Sequence, residues 1–335
     1  MVQVCVADLA LLLLTFLSPA PQGQISDDTF MTAEQYYREG KAAEAEALYA
    51  RIGPGHPDYP QAQLRLGTIF YSTGRPALAE RCLRESLRFQ PSAEVYCLLA
   101  GAQFNQEKFD EAYQSAKKAL QLDDKYAKAY TALAMIYTAR KDWPHADAAY
   151  REALRLDDKD SNTWFLLGRA YFFRNEFAKA REAFETALKL NPQSVRTYEN
   201  LALTLDLLGQ ADAAEKMFAG GVKVNRRGPR PEARIYIAYA SFLFKLDRPR
   251  ESAAQLREAL QLEPQNSDAH YELARVLFRQ RQWTEAAQQA EAALRTGKPD
   301  RRVHFLLSRI YTALGDQQAA ALHAQRAALL AEQPR

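Results

Sequence analysis

Residues 161–192 read SNTWFLLGRAYFFRNEFAKAREAFETALKLNP. Trp164, Leu167, Gly168 and Tyr171 in the first half, and Ala180, Phe184 and Ala187 in the second, repeat at helical spacing, and Pro192 closes the stretch. Two apolar stripes that far apart predict a helix, a short turn and a second helix. Weaker copies recur along the chain. The small residue at Ala180 has counterparts at Ala45, Ala79, Ala112, Ala146, Ala214, Ala286 and Ala320, with Ser252 in the remaining place. Successive steps are 34, 33, 34, 34, 34, 38, 34 and 34 residues, a register that unrelated helices would not keep. Such a period predicts an array of helical hairpins, an architecture that presents a surface to other proteins.

Side-chain size explains how the hairpins close. Gly168 and its counterparts Gly67, Ala100, Ala134, Ala202, Ala240, Ala274 and Ser308 let the first helix of each hairpin approach the second. Tyr137, Tyr171, Tyr150 and Phe184 then fill the space beside each close approach, as interior packing density requires. Gln90-Pro91, Asn191-Pro192 and Glu263-Pro264 mark the turns between hairpins, and Gly40, Gly74, Gly209 and Gly315 the turns within them.

The 161–192 motif, W-x2-L-G-x2-Y followed by A-x3-F-x2-A and a proline, resembles the tetratricopeptide repeat family. The resemblance covers about nine units between roughly residues 26 and 331. It implies an all-α fold, an α-solenoid in which helix–turn–helix hairpins wind into a right-handed superhelix. The first unit keeps Tyr36, Gly40, Ala45 and Tyr49 but has Thr29 and Thr32 at large apolar positions. The seventh has Ser252 for the alanine and Asp247 for the turn glycine. The expected organisation is a signal peptide at 1–20, a linker at 21–31 and the solenoid at 32–335. Within it, about six units reach residue 223 and about three occupy 232–331. The step of 38 places an insertion at Val224–Pro231 (VNRRGPRP), whose prolines, glycine and arginines predict a loop rather than a longer helix.

The repeats occupy the length, so no separate catalytic domain fits beside them. Net charge is +3, too small to argue for nucleic-acid binding. No HExxH, CxxC, P-loop or GxSxG motif is present, and neither a cofactor nor a metal is expected. His270 and His304 occupy equivalent places in adjacent hairpins, about 8–10 Å apart, which suits interface packing rather than a shared metal. Cys82 and Cys97 are expected as free, partly buried thiols. Leu9–Leu17 (LALLLLTFL), followed by Ser18-Pro19-Ala20, reads as a secretory signal too short for a stable membrane span. The chain is therefore expected to be exported, to a periplasm or outside the cell, and otherwise cytoplasmic.

The resemblance also implies that the first helices line the inner, concave wall. The residues it places there form the expected peptide groove: Phe165, Arg169, Phe172, Phe173, Arg196, Asn200, Arg234, Phe244, Tyr271, Arg275, Phe278, Arg302, Phe305 and Arg309. Over all inward positions of the chain, basic side chains outnumber acids such as Glu94, Glu199, Asp206, Asp268 and Glu272 about two to one, and arginines are expected to need water or an anion. Arginine and aromatic residues dominate binding hot spots. The expected partner is thus an acidic and apolar protein segment, extended or helical. Some family members clamp a C-terminal carboxylate at five places. Asn200 and Arg234 match two of these, while Phe165, Arg169 and Ala238 break the other three.

The expected function is a non-catalytic scaffold or adaptor acting through this Arg- and aromatic-lined groove. Alternatives are a self-assembling subunit of an envelope or secretion complex, joined through Leu322, Leu329 and Leu330, and a co-chaperone-like cytoplasmic adaptor.

Overall fold

The computed structural model describes residues 28–298 and 300–332. The expected signal peptide lies outside the described residues. Among the described residues there are eighteen helices and no strand, and the chain divides into two compact units, 1–158 and 159–335. The first unit holds four hairpins: α1 (Asp28–Arg38) with α2 (Ala42–Tyr49), α3 (Tyr59–Ser72) with α4 (Pro76–Phe89), α5 (Ala93–Phe104) with α6 (Phe109–Leu122), and α7 (Ala127–Ala139) with α8 (Trp143–Leu156). The second holds five: α9 (Ser161–Phe173) with α10 (Phe177–Leu190), α11 (Val195–Leu207) with α12 (Ala211–Arg227), α13 (Arg234–Lys245) with α14 (Pro249–Leu262), α15 (Ser267–Arg279) with α16 (Trp283–Thr296), and α17 (Arg301–Leu314) with α18 (Gln317–Glu332).

Local chemistry sets the helix ends. Ser92, Asp142, Asp160, Ser194, Asn266 and Asp300 each accept a backbone N–H from the first turn of the helix they precede. At the hairpin turns one residue adopts a left-handed backbone. Gly40, Gly74, Gly209 and Gly315 do so, and so do Glu107, Lys141, Asn175, Asp247 and Arg281, at φ between 58° and 61°.

Packing repeats with the sequence. A Cβ on Gly168 would lie 2.6 Å from the Phe184 ring, and one on Gly67 would lie 2.6 Å from Leu83. The second-helix residues Tyr49, Leu83, Tyr150, Phe184, Phe218 and Leu256 are the plugs beside these contacts, all buried. Ser252 fits an alanine place because its hydroxyl donates to the Ala240 carbonyl at 2.7 Å. In each unit consecutive first helices touch: α3 with α5 and α5 with α7, then α9 with α11, α11 with α13, α13 with α15 and α15 with α17. They form the wall of each unit.

Two boundaries differ from expectation. Residues 28–31, read as the end of a linker, are the first turn of α1, where Asp28 favours the positive helix terminus. The insertion read as a loop at 224–231 extends α12 to Arg227. Asn225, buried, holds this extra turn. Its amide donates to the Glu232 carbonyl at 2.9 Å and its oxygen accepts from the Glu232 N–H at 3.0 Å. Arg226 pairs with Glu258 at 3.2 Å.

Candidate functional site

The second unit carries all fourteen expected groove residues on α9, α11, α13, α15 and α17. The structure arranges them as alternating guanidinium groups and rings. Arg169 lies 5.4 Å over Phe173, and Arg196 lies 4.7 Å over Phe165. Arg275 sits over both Phe244 and Tyr271, at 5.3 and 5.8 Å, and Arg302 covers Tyr271 at 5.1 Å. Arg309 lies over Phe278 at 4.8 Å. Each stack joins one first helix to the next, or residues a turn apart on one helix, and stiffens the wall by about 0.5–1 kcal/mol where exposed.

Exposure sorts the rings. Phe173 and Phe305 are each 60% exposed. Phe172, Phe244, Tyr271 and Phe278 are half-buried, Phe278 against Trp283 with ring centres 4.9 Å apart. Phe165 is only 5% exposed, packed on Phe184 with Arg196 above it, and so forms the floor rather than the open surface.

Charge is more balanced than expected. Arg234 Nε donates to Glu199 Oε1 at 2.8 Å. Arg275 pairs with Glu272 at 2.5 Å, and Arg302 with Asp300 at 2.7 Å. Lys245 reaches Asp206 at 2.7 Å, and Arg279 reaches Asp247 at 2.9 Å. These cations therefore have carboxylate partners and do not each require an anion from outside. Burial pushes the carboxyls of Glu199 and Glu272 above the usual range, although Arg234 and Arg275 respectively pull them down. Arg302 holds the Asp300 carboxyl below its usual value. Asn200 turns away from the clamp role, its amide donating to the Arg196 carbonyl at 2.8 Å. Among the described residues, Arg196 and Arg309 form no ion pair.

The carboxylates were legible in principle. Glu199 and Arg234, like Glu34 and Arg65 in the first unit, stand about one repeat apart, the spacing that brings neighbouring first helices together. Among the described residues the wall thus offers two guanidinium groups outside any ion pair, two exposed phenyl rings and a set of satisfied charges.

Elsewhere, Cys82 and Cys97 are free thiols, and burial pushes Cys97 up to about 12. Among the described residues no three His, Cys, Asp or Glu side chains could share a metal, and no helix is long and apolar enough to cross a membrane. His270 is bonded to Gln289 of its own hairpin and to the Pro264 carbonyl of the preceding turn, rather than across two hairpins as expected.

No curated protein sequence matches the chain. Among solved structures, yeast Tom70 is similar over 96% of this chain and 70% of its own, at TM-score 0.63 and 17% identity. The Cut9–Hcn1 heterotetramer of the APC/C is similar over 85% of this chain at TM-score 0.60 and 16% identity, and the match spans 56% of that protein's length. PilW, a widely conserved type IV pilus biogenesis factor, is 25% identical over 62% of this chain and 94% of its own, at TM-score 0.54. The first two likenesses show the fold. Residues 243–310 match a tetratricopeptide repeat model, and residues 19–230 match the model described as Cilia and flagella-associated protein 70 C-terminal domain. The chain belongs to that last family, and its hairpins are tetratricopeptide repeats forming a scaffold for protein–protein interaction.

Proposed function

We propose that the first-helix wall of the second unit holds an acidic and apolar segment of a partner protein and performs no chemistry. The observation that carries this reading is that one wall presents two open rings, Phe173 and Phe305 at 60% exposure, together with two arginines, Arg196 and Arg309, that among the described residues form no ion pair. An arginine already oriented over a ring loses little freedom when a carboxylate arrives. The exposed phenyls supply flat apolar area on the same wall. Specificity then resides at the two ends of the wall, at α9–α11 and α15–α17, while Arg234, Arg275 and Arg302 keep the stack rigid between them.

A peptide array of mixed composition tests this. The full chain is expected to select sequences enriched in Asp or Glu together with aromatic or aliphatic residues. Arg196→Glu with Arg309→Glu is expected to shift the preference toward basic peptides. Selection indifferent to charge overturns the reading.

We further propose that the chain is exported. The support is the Leu9–Leu17 apolar run ending in Ser18-Pro19-Ala20. Terminal sequencing of the purified native protein is expected to start at or after residue 21, and a retained Met1 contradicts export. A second reading, assembly within an envelope or secretion complex, draws on the likeness to PilW and on the exposure of Leu322 and Leu329. Light scattering at high concentration separates the two, a monomer excluding self-assembly.

A further inference from the structure

The third hairpin, α5 with α6, lacks both large side chains that fill its neighbours. The place held by Tyr137, Tyr171 and Tyr311 elsewhere is Gln103, and the place held by Tyr150 and Phe184 is Ala116. Here the first unit opens a cleft of about 680 Å³ between α4, α5 and α6. Leu87 and Tyr96 wall it, Gln103 and Ser115 lie at its floor, and Arg88 and Lys118 stand at its rim. Gln103 is only 1% exposed and bonded to Ser115 at 2.7 Å, so the floor is ordered.

The other hairpins show what shape suits this place. In the ninth, the Tyr311 ring stacks on His323 with centres 5.6 Å apart, and its hydroxyl donates to Glu291. The repeat register puts Ser115 where His323 stands and Arg84 where Glu291 stands. A phenol entering the cleft therefore meets a hydroxyl and a guanidinium in those positions. The rim selects for negative charge. The two acids at the cleft are already engaged, Asp110 by Arg140 and Glu111 by Arg84. Lys118 lies 5.6 Å over the Tyr96 ring and, among the described residues, forms no ion pair. Arg88 is 73% exposed at its side chain and pairs with Glu85 at 3.0 Å.

We propose that this cleft receives an aromatic side chain flanked by acidic residues, presented by a partner protein. The incoming ring takes the place that a tyrosine of the chain itself occupies in other hairpins, and Lys118 and Arg88 hold its neighbours. This is a second contact, separate from the second-unit wall.

The test uses the full chain and two dye-labelled, capped peptides, Asp-Glu-Tyr-Asp-Leu and Asp-Glu-Ala-Asp-Leu, followed by fluorescence polarisation. The tyrosine peptide is expected to bind about tenfold tighter than the alanine peptide, the ratio that one well-placed ring supplies. Gln103→Tyr restores the repeat, so it is expected to abolish this preference with the melting temperature kept or raised. Lys118→Glu, an exposed change, is expected to weaken the tyrosine peptide about tenfold. Arg196→Ala with Arg309→Ala leaves the ratio between the peptides unchanged, which distinguishes failure here from failure of the second-unit reading. Equal binding of the two peptides, no binding of either, an unaltered ratio in Gln103→Tyr or unaltered affinity in Lys118→Glu overturns the proposal.

Discussion

At each hairpin turn one residue takes the left-handed backbone, and at five of the nine turns that residue carries a side chain. A Cβ in this conformation crowds the following carbonyl, at a cost of roughly 1–2 kcal/mol that glycine avoids. Glycine loses part of the advantage through its freer unfolded state. Lys141→Gly is therefore expected to stabilise the fourth hairpin by about 0.5–1 kcal/mol, read as a higher melting temperature. Gly168 works in the opposite sense, because what matters there is room. With a Cβ only 2.6 Å from a fully buried Phe184 ring, Gly168→Ala should cost about 1–3 kcal/mol in denaturant unfolding. The sequence alone revealed the glycine turns and the Gly168 contact. Register placed Asp247 at a turn-glycine position as well, but the turns at Glu107, Lys141, Asn175 and Arg281 stayed hidden, because those residue types do not announce a backbone that neighbouring helices impose.

At the scale of the element, the last helix is held through histidines. His304 on α17 and His323 on α18 share a hydrogen bond, Nδ1 to Nδ1 at 2.9 Å, and His323 also stacks on Tyr311. Such a contact needs at least one neutral ring. Burial lowers both pKa values below 6.5, and Arg326 on α18 adds to the lowering. Asp300 before α17 and Glu291 on α16 oppose it. The unfolded chain thus binds protons more readily than the folded one. The stabilising contribution is complete above pH 6.5 and is lost as pH falls through the folded values. Amide exchange in α18 is expected to accelerate between pH 7.5 and pH 5 relative to α15, beyond the intrinsic pH effect. His323→Phe is expected to remove most of that difference, and an unchanged profile contradicts the mechanism. The long α12 teaches a related lesson. The prolines and glycine of residues 224–231 suggested a loop across the whole insertion, but the side chain of Asn225, buried against Glu232, carries the helix one turn further than local propensity indicated.

For the molecule as a whole, stability is a sum over neighbours. Each helix of the second unit packs on adjacent helices of the array, so the effect of a local lesion should spread by about one hairpin. In Gly168→Ala, faster amide exchange is expected in α9 to α12 and unchanged exchange in α15 and α16; uniform acceleration would show instead a single cooperative block. Wall chemistry was only partly visible beforehand. Residue type and repeat register located the arginines and rings, as Arg196 and Phe305 illustrate, because period alone assigns a face. The spacing of Glu199 and Arg234 hinted at a pair, but which acid meets which cation was not read beforehand, because Glu199, Asp206 and Asp247 neutralise cations on the following first helix only once the hairpins stack.

Those pairings carry an implication for how the array could be rebuilt. Glu199 reaches Arg234 and Asp206 reaches Lys245, each crossing from one hairpin to the following one. The small-residue contacts are interchangeable between repeats, whereas these bonds are not. A gene with two internal repeats exchanged would thus encode modules that still close individually but meet the wrong neighbours, leaving the buried Glu199 carboxylate without its counterion. Charge serves here as an address label, fixing the sequence in which otherwise similar building blocks can be joined.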